Sequence, residues 1–548
     1  MLIAALGLPL MLARGWVDSW VTFEDVARKS GIEFIHRASP TPKKYLIETM
    51  GSGVALLDFD GDGFLDIYLA NGARIEPAMK PGTVPDKSDP AYWNRLFHNN
   101  HDWTFTDVTR PAGVAGKGYS TGVAVGDFDG DGRPDLYVAG FPSNQLFRNN
   151  GDGTFTDVTA RAGVAGGGWS TSAGFFDYDN DGDLDLFVCR YMKWDLDDLY
   201  CGDSDVRAYC DPKHFPPISN LLYRNQGNGT FDDVSRTSGI EARAGKGLGV
   251  AFNDFDGDGR PDVFVANDGV PQFLFLNQGD GTFREDALER GAACDENGNT
   301  FAGMGVDGAD YNDDGWPDVL VTTLSLETYA LFRNLQGKAF DYATNQSGLG
   351  RASRLHAGWG TFFFDADNSS AQDIFVAQGH VLDTIQRTNP ALSYLQPPLL
   401  LRNQGGVFSD VSKRSGTGFE LPNAGRGAAY GDLDNDGNLD LVVSNLNRPV
   451  QVMRNTGDTN RSWLMLELQG RGMNREGIGA KVRLQTSGRP QYRYASRAVG
   501  YLSSSEARVH FGLRETGTIS EITVRWPSGK VQRLQSVPAG RRVTVSEP

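Results

Sequence analysis

The chain has 548 residues, 39% hydrophobic, 22% charged and 11% aromatic, a balance that excludes an unfolded acidic polymer and suits several domains or one large repeat architecture. Its 68 glycines and 25 prolines imply many tight turns rather than long helices, and the glycines lack the period of three that collagen needs. The net charge of -17 is unevenly placed: from Asn460 on, 15 Lys/Arg face 6 Asp/Glu, so the last 89 residues carry +9 and the preceding body -26, which excludes nucleic-acid binding by that body.

The chain opens with MLIAALGLPLMLARGW, apolar from Leu2 to Ala13. That run is short for a bilayer span and fits a secretory signal-like segment, residues 1–18, although no Lys or Arg precedes it and no A-x-A site follows. The expectation is a secreted protein, extracellular or periplasmic, with no transmembrane segment beyond an N-terminal tether. Thr22 to Val26 then reads TFEDV, the last strand of a repeat whose earlier strands are missing.

A nine-residue string follows seven times, starting at Asp58, Asp127, Asp177, Asp254, Asp310, Asp365 and Asp432, at spacings of 69, 50, 77, 56, 55 and 67 residues. Each copy sits between two strand-like runs and is followed by a LFRN-like and a TFTDVT-like run, giving four short strands per unit. Seven such units predict an all-β, seven-bladed β-propeller over residues 19–459, its ring closed when TFEDV completes the seventh blade, which stops at QVMRN. Alternating runs such as SWLMLELQG, AKVRLQT and ITVRWPSG predict a small C-terminal β-sandwich over 460–548.

The string D-x-D-x-D-G-x-x-D has the spacing with which a loop wraps oxygen ligands around one hard cation. Side-chain ligands fall at positions 1, 3, 5 and 9, and position 7 offers its carbonyl. The candidate ligands are Asp58, Asp60, Asp62, Phe64 and Asp66 in the first loop; Asp127, Asp129, Asp131, Arg133 and Asp135 in the second; and Asp177, Asp179, Asp181, Asp183 and Asp185 in the third. The fourth offers Asp254, Asp256, Asp258, Arg260 and Asp262, the fifth Asp310, Asn312, Asp314, Trp316 and Asp318, and the seventh Asp432, Asp434, Asp436, Asn438 and Asp440. The variety at position 7 agrees with a backbone ligand. The sixth loop keeps Asp365, Asp367 and Asp373 but has Ser369 and Ser370 where Asp and Gly belong, so its site should be weak or empty. Without counter-ions, so many close carboxylates would oppose folding. Structural Ca2+ is expected at about six sites, a seventh being weak, and Mg2+ fits less well because it keeps more of its water.

In a four-stranded blade the acidic loops share one face, and the long insertions Gly72 to Tyr92, Tyr191 to Ser219 and Val381 to Gln396 emerge on the other. Binding function concentrates on such elaborated loops, so a protein or glycan partner is expected there. His36, Glu48, His356, Trp359 and His380 are candidates for that partner face or for a pocket, against the plainer reading that they hydrogen-bond loop backbone. Four cysteines allow three pairings; Cys201 with Cys210, nine apart in one insertion, is favoured, with Cys189 and Cys294 equally readable as free thiols. The basic tail is read as a solvated or propeller-docking face rather than an anion site. No nucleophile elbow, phosphate loop or dinucleotide fingerprint is present.

The GVAVGDFDGDGRPDLYV units resemble FG-GAP/VCBS repeats, as in the integrin alpha-chain propeller. The tail, through NREGIGAKVRL, GYLSSSEARVHFGL and VRWPSGKVQ, resembles the UnbV/ASPIC domain. Together they are similar to the cartilage acidic protein family over nearly the whole chain after the leader. The resemblance implies an extracellular calcium-binding protein. It implies no reaction, so an enzyme or an enediyne-type biosynthetic accessory protein, using a pocket opposite the calcium loops, stands as the alternative.

Overall fold

The computed structural model describes residues 20–203, 205–457 and 461–548. The signal-like segment 1–18 lies outside the described residues, as does the expected boundary between 459 and 460.

Among the described residues, seven sequential repeats give seven four-stranded antiparallel units, the first lying within a six-stranded sheet and the seventh completed by a strand from outside its repeat. The first sheet runs Val54–Leu57, Asp66–Leu69, Arg95–Asn99, Phe105–Asp107, and the second Tyr119–Gly126, Asp135–Phe141, Gln145–Asn149, Phe155–Asp157. The first strands of the other five are Ser170–Phe176, Gly247–Asn253, Val306–Ala309, Gly358–Phe364 and Gly425–Gly431. Every second strand opens on the position-9 aspartate. That residue pairs across the turn with the last residue of the first strand, as in Leu57↔Asp66 and Phe364↔Asp373, so all seven acidic loops start from one register.

The seventh sheet takes its fourth strand from the other end of the described chain. Phe23–Asp25 pairs antiparallel with Gln451–Asn455, Phe23 opposite Asn455, as TFEDV led one to expect. Adjacent sheets bury apolar faces against one another around a closed cycle. Leu57 and Tyr68 of the first sheet pack with Val125 and Leu136 of the second, while Leu56 and Ile67 of the first share a cluster with Val442 and Val452 of the seventh.

A second device joins the sheets. The asparagine ending each third strand sends its side-chain amide into the preceding repeat: Asn149 Nδ2 donates to Phe59 O at 2.7 Å, Asn225 to Phe128 O at 2.7 Å, and Asn334 to Phe255 O at 2.8 Å. Asn99 of the first repeat reaches Leu433 O of the seventh at 2.9 Å, which closes the ring with the same bond.

The tail consists of a three-stranded sheet, Val509–Arg514, Ser462–Gln469 and Arg541–Ser546, and a four-stranded sheet, Gln491–Tyr494, Lys481–Gln485, Thr518–Arg525 and Val531–Pro538. Leu464, Leu466, Val482, Ile522 and Trp526 lie in their common core. Between them, Ala498–Val499 and Ser503–Ser504 leave the tail and join the inner edge of the first sheet, Ser504 beside Ala55.

Candidate metal centres and the docked tail

The acidic loops owe their shape to backbone conformation and to their own carboxylates. Position 6 has positive φ in each loop, as at Gly132 with +86°, a region other residues avoid. In the sixth loop Ser370 takes that place at +75°. The turn therefore survives the loss of its glycine, at a cost in backbone strain. Position 4 is also left-handed, and its non-glycine occupants are Asn180, Asp313, Asn368 and Asn435, the residue types that tolerate it.

The position-1 carboxylate is threaded by backbone N–H groups: Asp58 accepts from Gly61 N at 2.7 Å and Gly63 N at 2.8 Å, and Asp310 from Asp314 N at 3.0 Å and Gly315 N at 2.8 Å. Position 9 does more than close a ligand set. Both oxygens of Asp135 accept backbone N–H bonds, from Phe128 at 3.1 Å and Asn149 at 2.7 Å, so this aspartate also ties the loop to the third strand.

The structure brings positions 1, 3 and 9 together. One carboxylate oxygen each from Asp127, Asp129 and Asp135, from Asp177, Asp179 and Asp185, and from Asp254, Asp256 and Asp262 lie within 4.8 Å of one another; in the first loop Asp58, Asp60 and Asp62 do so. Oδ1 of each of Asp129, Asp177, Asp179, Asp254 and Asp434 is buried with no hydrogen-bond partner. A buried carboxylate oxygen without a donor is costly, and a bound cation would satisfy all of them with one ligand-to-metal geometry. Burial, chiefly, pushes the Asp127, Asp177 and Asp432 carboxyls up to about 7, and neighbouring aspartates add to the shift. A hard, oxygen-seeking divalent ion therefore fits the donor set, with Asp256, Asp258, Asp262, Asn312, Asp314, Asp318, Asp434, Asp436 and Asp440 in equivalent positions.

The sixth loop differs, and its difference lies in the tail. The guanidinium of Arg461 contacts the Asp367 carboxylate and donates to Asp367 O at 2.9 Å, while Arg402 Nη2 stands 3.6 Å from the same carboxylate. Asp367 is fully buried. Asp367 thus meets two guanidiniums, one of them from the tail, whereas Asp129, Asp179 and Asp434 at the same position of their loops each meet one from their own repeat.

This contact belongs to a wider docking. Basic tail residues point at the acidic-loop face and donate mainly to its carbonyls: Arg475 to Gly130 O at 3.1 Å, Lys481 to Gly315 O at 3.2 Å, Arg514 to Ser369 O at 2.6 Å, and Arg508 to Asn435 Oδ1 at 2.7 Å. The +9 tail and the -26 body are complementary surfaces of one molecule.

The segment between the two short tail strands enters the centre of the ring. Leu502 O accepts from Val123 N at 3.0 Å, and Leu502 N donates to Ser172 Oγ at 2.9 Å. Gly500 and Val306 exchange backbone bonds at 2.8 and 3.1 Å. Tyr501 donates from its hydroxyl to Met50 O at 2.5 Å and lies 4.9 Å from the Trp359 ring. Tyr501 and Leu502 are fully buried among Met50, Tyr119, Trp169, Leu248, Met304 and Trp359. The channel is thus filled by the chain's own tail.

The insertion face is interlocked as well. Gly82 N of the first insertion donates to the Asp195 carboxylate of the second at 2.9 Å, Lys43 pairs with Asp198 at 3.0 Å, and Lys44 pairs with Asp383 of the third at 2.5 Å. A disulfide joins Cys201 to Cys210, while Cys189 and Cys294 are free. No helix among the described residues is long and apolar enough to cross a membrane.

Most of the candidate pocket residues lie beneath the surface. His36, Glu48, Trp359 and His380 are buried, and His356 is half-buried. Among the described residues, no hydrogen bond or ion pair links any two of them. Glu48 accepts from Thr41 Oγ1 at 2.6 Å, from Tyr45 N at 3.2 Å and from Tyr209 Oη at 3.3 Å. Trp359 Nε1 donates to Gly379 O at 2.6 Å, and His380 Nδ1 accepts from Leu382 N at 3.0 Å. Burial, with Lys87 and Arg426 nearby, drives His36 down to about 3, so it is neutral. The residue that does organise this region, Arg426, carried no motif: fully buried, it donates to Thr49 O at 2.7 Å, to Gly379 O and His380 O at 3.2 Å, and lies 4.0 Å over Trp359.

The family described as "ASPIC and UnbV" matches residues 470–548, and the FG-GAP-like repeat matches 58–138, 127–188, 196–265 and 254–321. Cartilage acidic protein 1 of Mus musculus is 26% identical over 488 residues, 87% of this chain and 62% of that protein, and its Homo sapiens counterpart is 27% identical over 329 residues, 58% and 46%. The chain carries FG-GAP-like repeats and a C-terminal ASPIC and UnbV domain, and it is distantly homologous to cartilage acidic protein 1 over most of its length. It spans about half to three-fifths of the length of these relatives. Among solved structures, the BP39L lectin of Burkholderia pseudomallei is similar at TM-score 0.42 and 9% identity, covering 75% of this chain and 98% of the lectin. An Agrocybe aegerita lectin that recognises non-reducing terminal N-acetylglucosamine is similar at 0.39 and 16%, covering 73% and 87%.

Proposed function

We propose that this FG-GAP protein is a secreted seven-bladed propeller, stabilised by calcium and sealed by a C-terminal β-sandwich, that offers its insertion face to a protein or glycan partner. The observation that carries the metal part is the recurrence of buried carboxylate oxygens without donors at equivalent loop positions. Calcium suits them because the sets are all-oxygen and the position-7 residue varies freely. The seven four-stranded sheets and the cyclic Asn bonds support the blade count, and the two tail sheets around one core support the sandwich.

The insertion face is favoured for binding because the tail already covers the loop face and fills the channel. Its insertions expose Val84, Leu199 and Tyr200, large side chains on loops held by the disulfide and the Gly82 to Asp195 tie. The disulfide also supports an oxidising compartment. A glycan array and a capture screen on extracellular proteins, run with wild type and a Val84→Ser/Tyr200→Ser variant, test this. The reading expects a ligand that the variant loses at unchanged melting temperature; ligands retained by the variant would move the site elsewhere.

A further inference from the structure

We propose that the first acidic loop is a mixed imidazole–carboxylate site for a d-block divalent ion, of the Zn2+ or Co2+ class, rather than another calcium site. The inference rests on reading the loops as cation sites and changes the ion for one of them.

The residue before the ring-closing asparagine decides it. In the second, third and seventh repeats this residue is an arginine aimed at the position-3 carboxylate: Arg148 Nε is 2.5 Å from Asp129, Arg224 Nε 2.9 Å from Asp179, and Arg454 Nη2 3.1 Å from Asp434. A guanidinium can donate but cannot ligate a metal. The first repeat has His98 there. Its Nδ1 lies 3.3 Å from Asp60 Oδ2 and 3.3 Å from Asp66 Oδ1. That nitrogen is buried and makes no hydrogen bond, and the three atoms lie within 4.8 Å of one another.

The set is pre-ordered. Asp66 is held by Phe59 N at 3.1 Å and Asn99 N at 2.9 Å, and the His98 ring packs edge-on against Phe59 at 6.0 Å. A second imidazole steadies the outer side: His101 Nε2 stands 2.6 Å from Asp62 Oδ2 and its ring stacks on Phe64 at 4.0 Å. Calcium takes oxygen ligands, whereas imidazole with carboxylates suits Zn2+ and its neighbours. One nitrogen and two carboxylates leave positions for water, which a borderline ion accepts.

The test uses the full chain, stripped with EDTA and saturated with Ca2+, then titrated with Co2+ and read by visible d–d absorption, with Zn2+ as competitor. About one Co2+ per chain is expected, displaced by Zn2+. His98→Arg installs the residue that five of the six other repeats use and His98→Gln a neutral one; each should weaken Co2+ by at least about tenfold, with the calcium titration of the other loops unchanged. Co2+ uptake equal in wild type and both variants, or no d–d bands in folded wild type, would overturn the proposal and leave an ordinary His98 ion pair. Calcium uptake without a His98-dependent Co2+ site fails this inference alone, and a His98-dependent Co2+ site without calcium uptake fails the calcium reading alone.

Discussion

Arg461 of the tail lays its guanidinium on the Asp367 carboxylate of the sixth acidic loop and donates to Asp367 O at 2.9 Å. The loop with the poorest ligand set is thus the one whose position-3 carboxylate meets a guanidinium of the tail in addition to that of Arg402 from its own repeat. Removing one partner of a buried pair strands the other, at a cost of about 3 kcal/mol. Arg461→Ala should therefore lower stability by roughly that amount in EDTA and in Ca2+ alike, measured by urea unfolding. A loss appearing only in Ca2+ would mean that this loop holds a metal.

The second loop should behave in the opposite way. Asp129 has a buried oxygen without a donor, so Asp129→Ala should remove part of the calcium-induced rise in melting temperature. Asp367→Ala should leave that rise nearly intact while lowering the metal-free value. Equal calcium-dependent losses would contradict the ranking of the loops.

Ring integrity depends on the asparagines. Asn334 Nδ2 donates to two buried carbonyls, Phe255 O at 2.8 Å and Pro317 O at 3.0 Å. Asn334→Ala leaves both unpaired and should cost about 2 kcal/mol. Chemical denaturation measures it, and a change below ~0.5 kcal/mol would show that water replaces the amide.

The tail plug turns at Gly500, whose φ is +66° and where an added Cβ would meet Thr361 O at 2.6 Å. Gly500→Ala should loosen the plug and expose the channel aromatics. Limited proteolysis of the tail and Trp fluorescence report it; unchanged protection would show that the plug tolerates a side chain there.

His36 gives a pH signature. Its pKa falls from 6.5 to about 3 on folding, so below pH 6.5 the unfolded chain takes up a proton that the folded chain refuses. Its contribution to stability is full above about pH 6.5 and declines as the pH falls toward 3. His36→Gln should flatten the wild-type curve across that window, and parallel curves would show that His36 titrates normally.

How much of this the sequence disclosed depended on how local each feature is. The acidic loops, the four strands around them and the TFEDV closure were legible because Asp58 to Asp66 and its repeats carry their ligands and turn residues within nine positions. The asparagines were visible as repeated letters, but their role was not, because Asn99 meets a carbonyl 334 residues away. The plug was hidden for the same reason: Tyr501 binds Met50 O across 451 residues. His36 and His380 read as a mouth because polar residues on loops suggest solvent, yet the tail and the insertions close over them. Ser370 stands where the other loops have glycine, and it still adopts the left-handed backbone, with φ at +75°.

The most direct test of the central claim is a calorimetric Ca2+ titration of the EDTA-stripped chain with melting temperature followed in parallel. The account predicts uptake of about five or six ions and a large rise in melting temperature, from the intact loops. Little uptake, with a melting temperature indifferent to Ca2+, would mean that the loops are self-sufficient acidic turns, and the metal-stabilised propeller would be wrong.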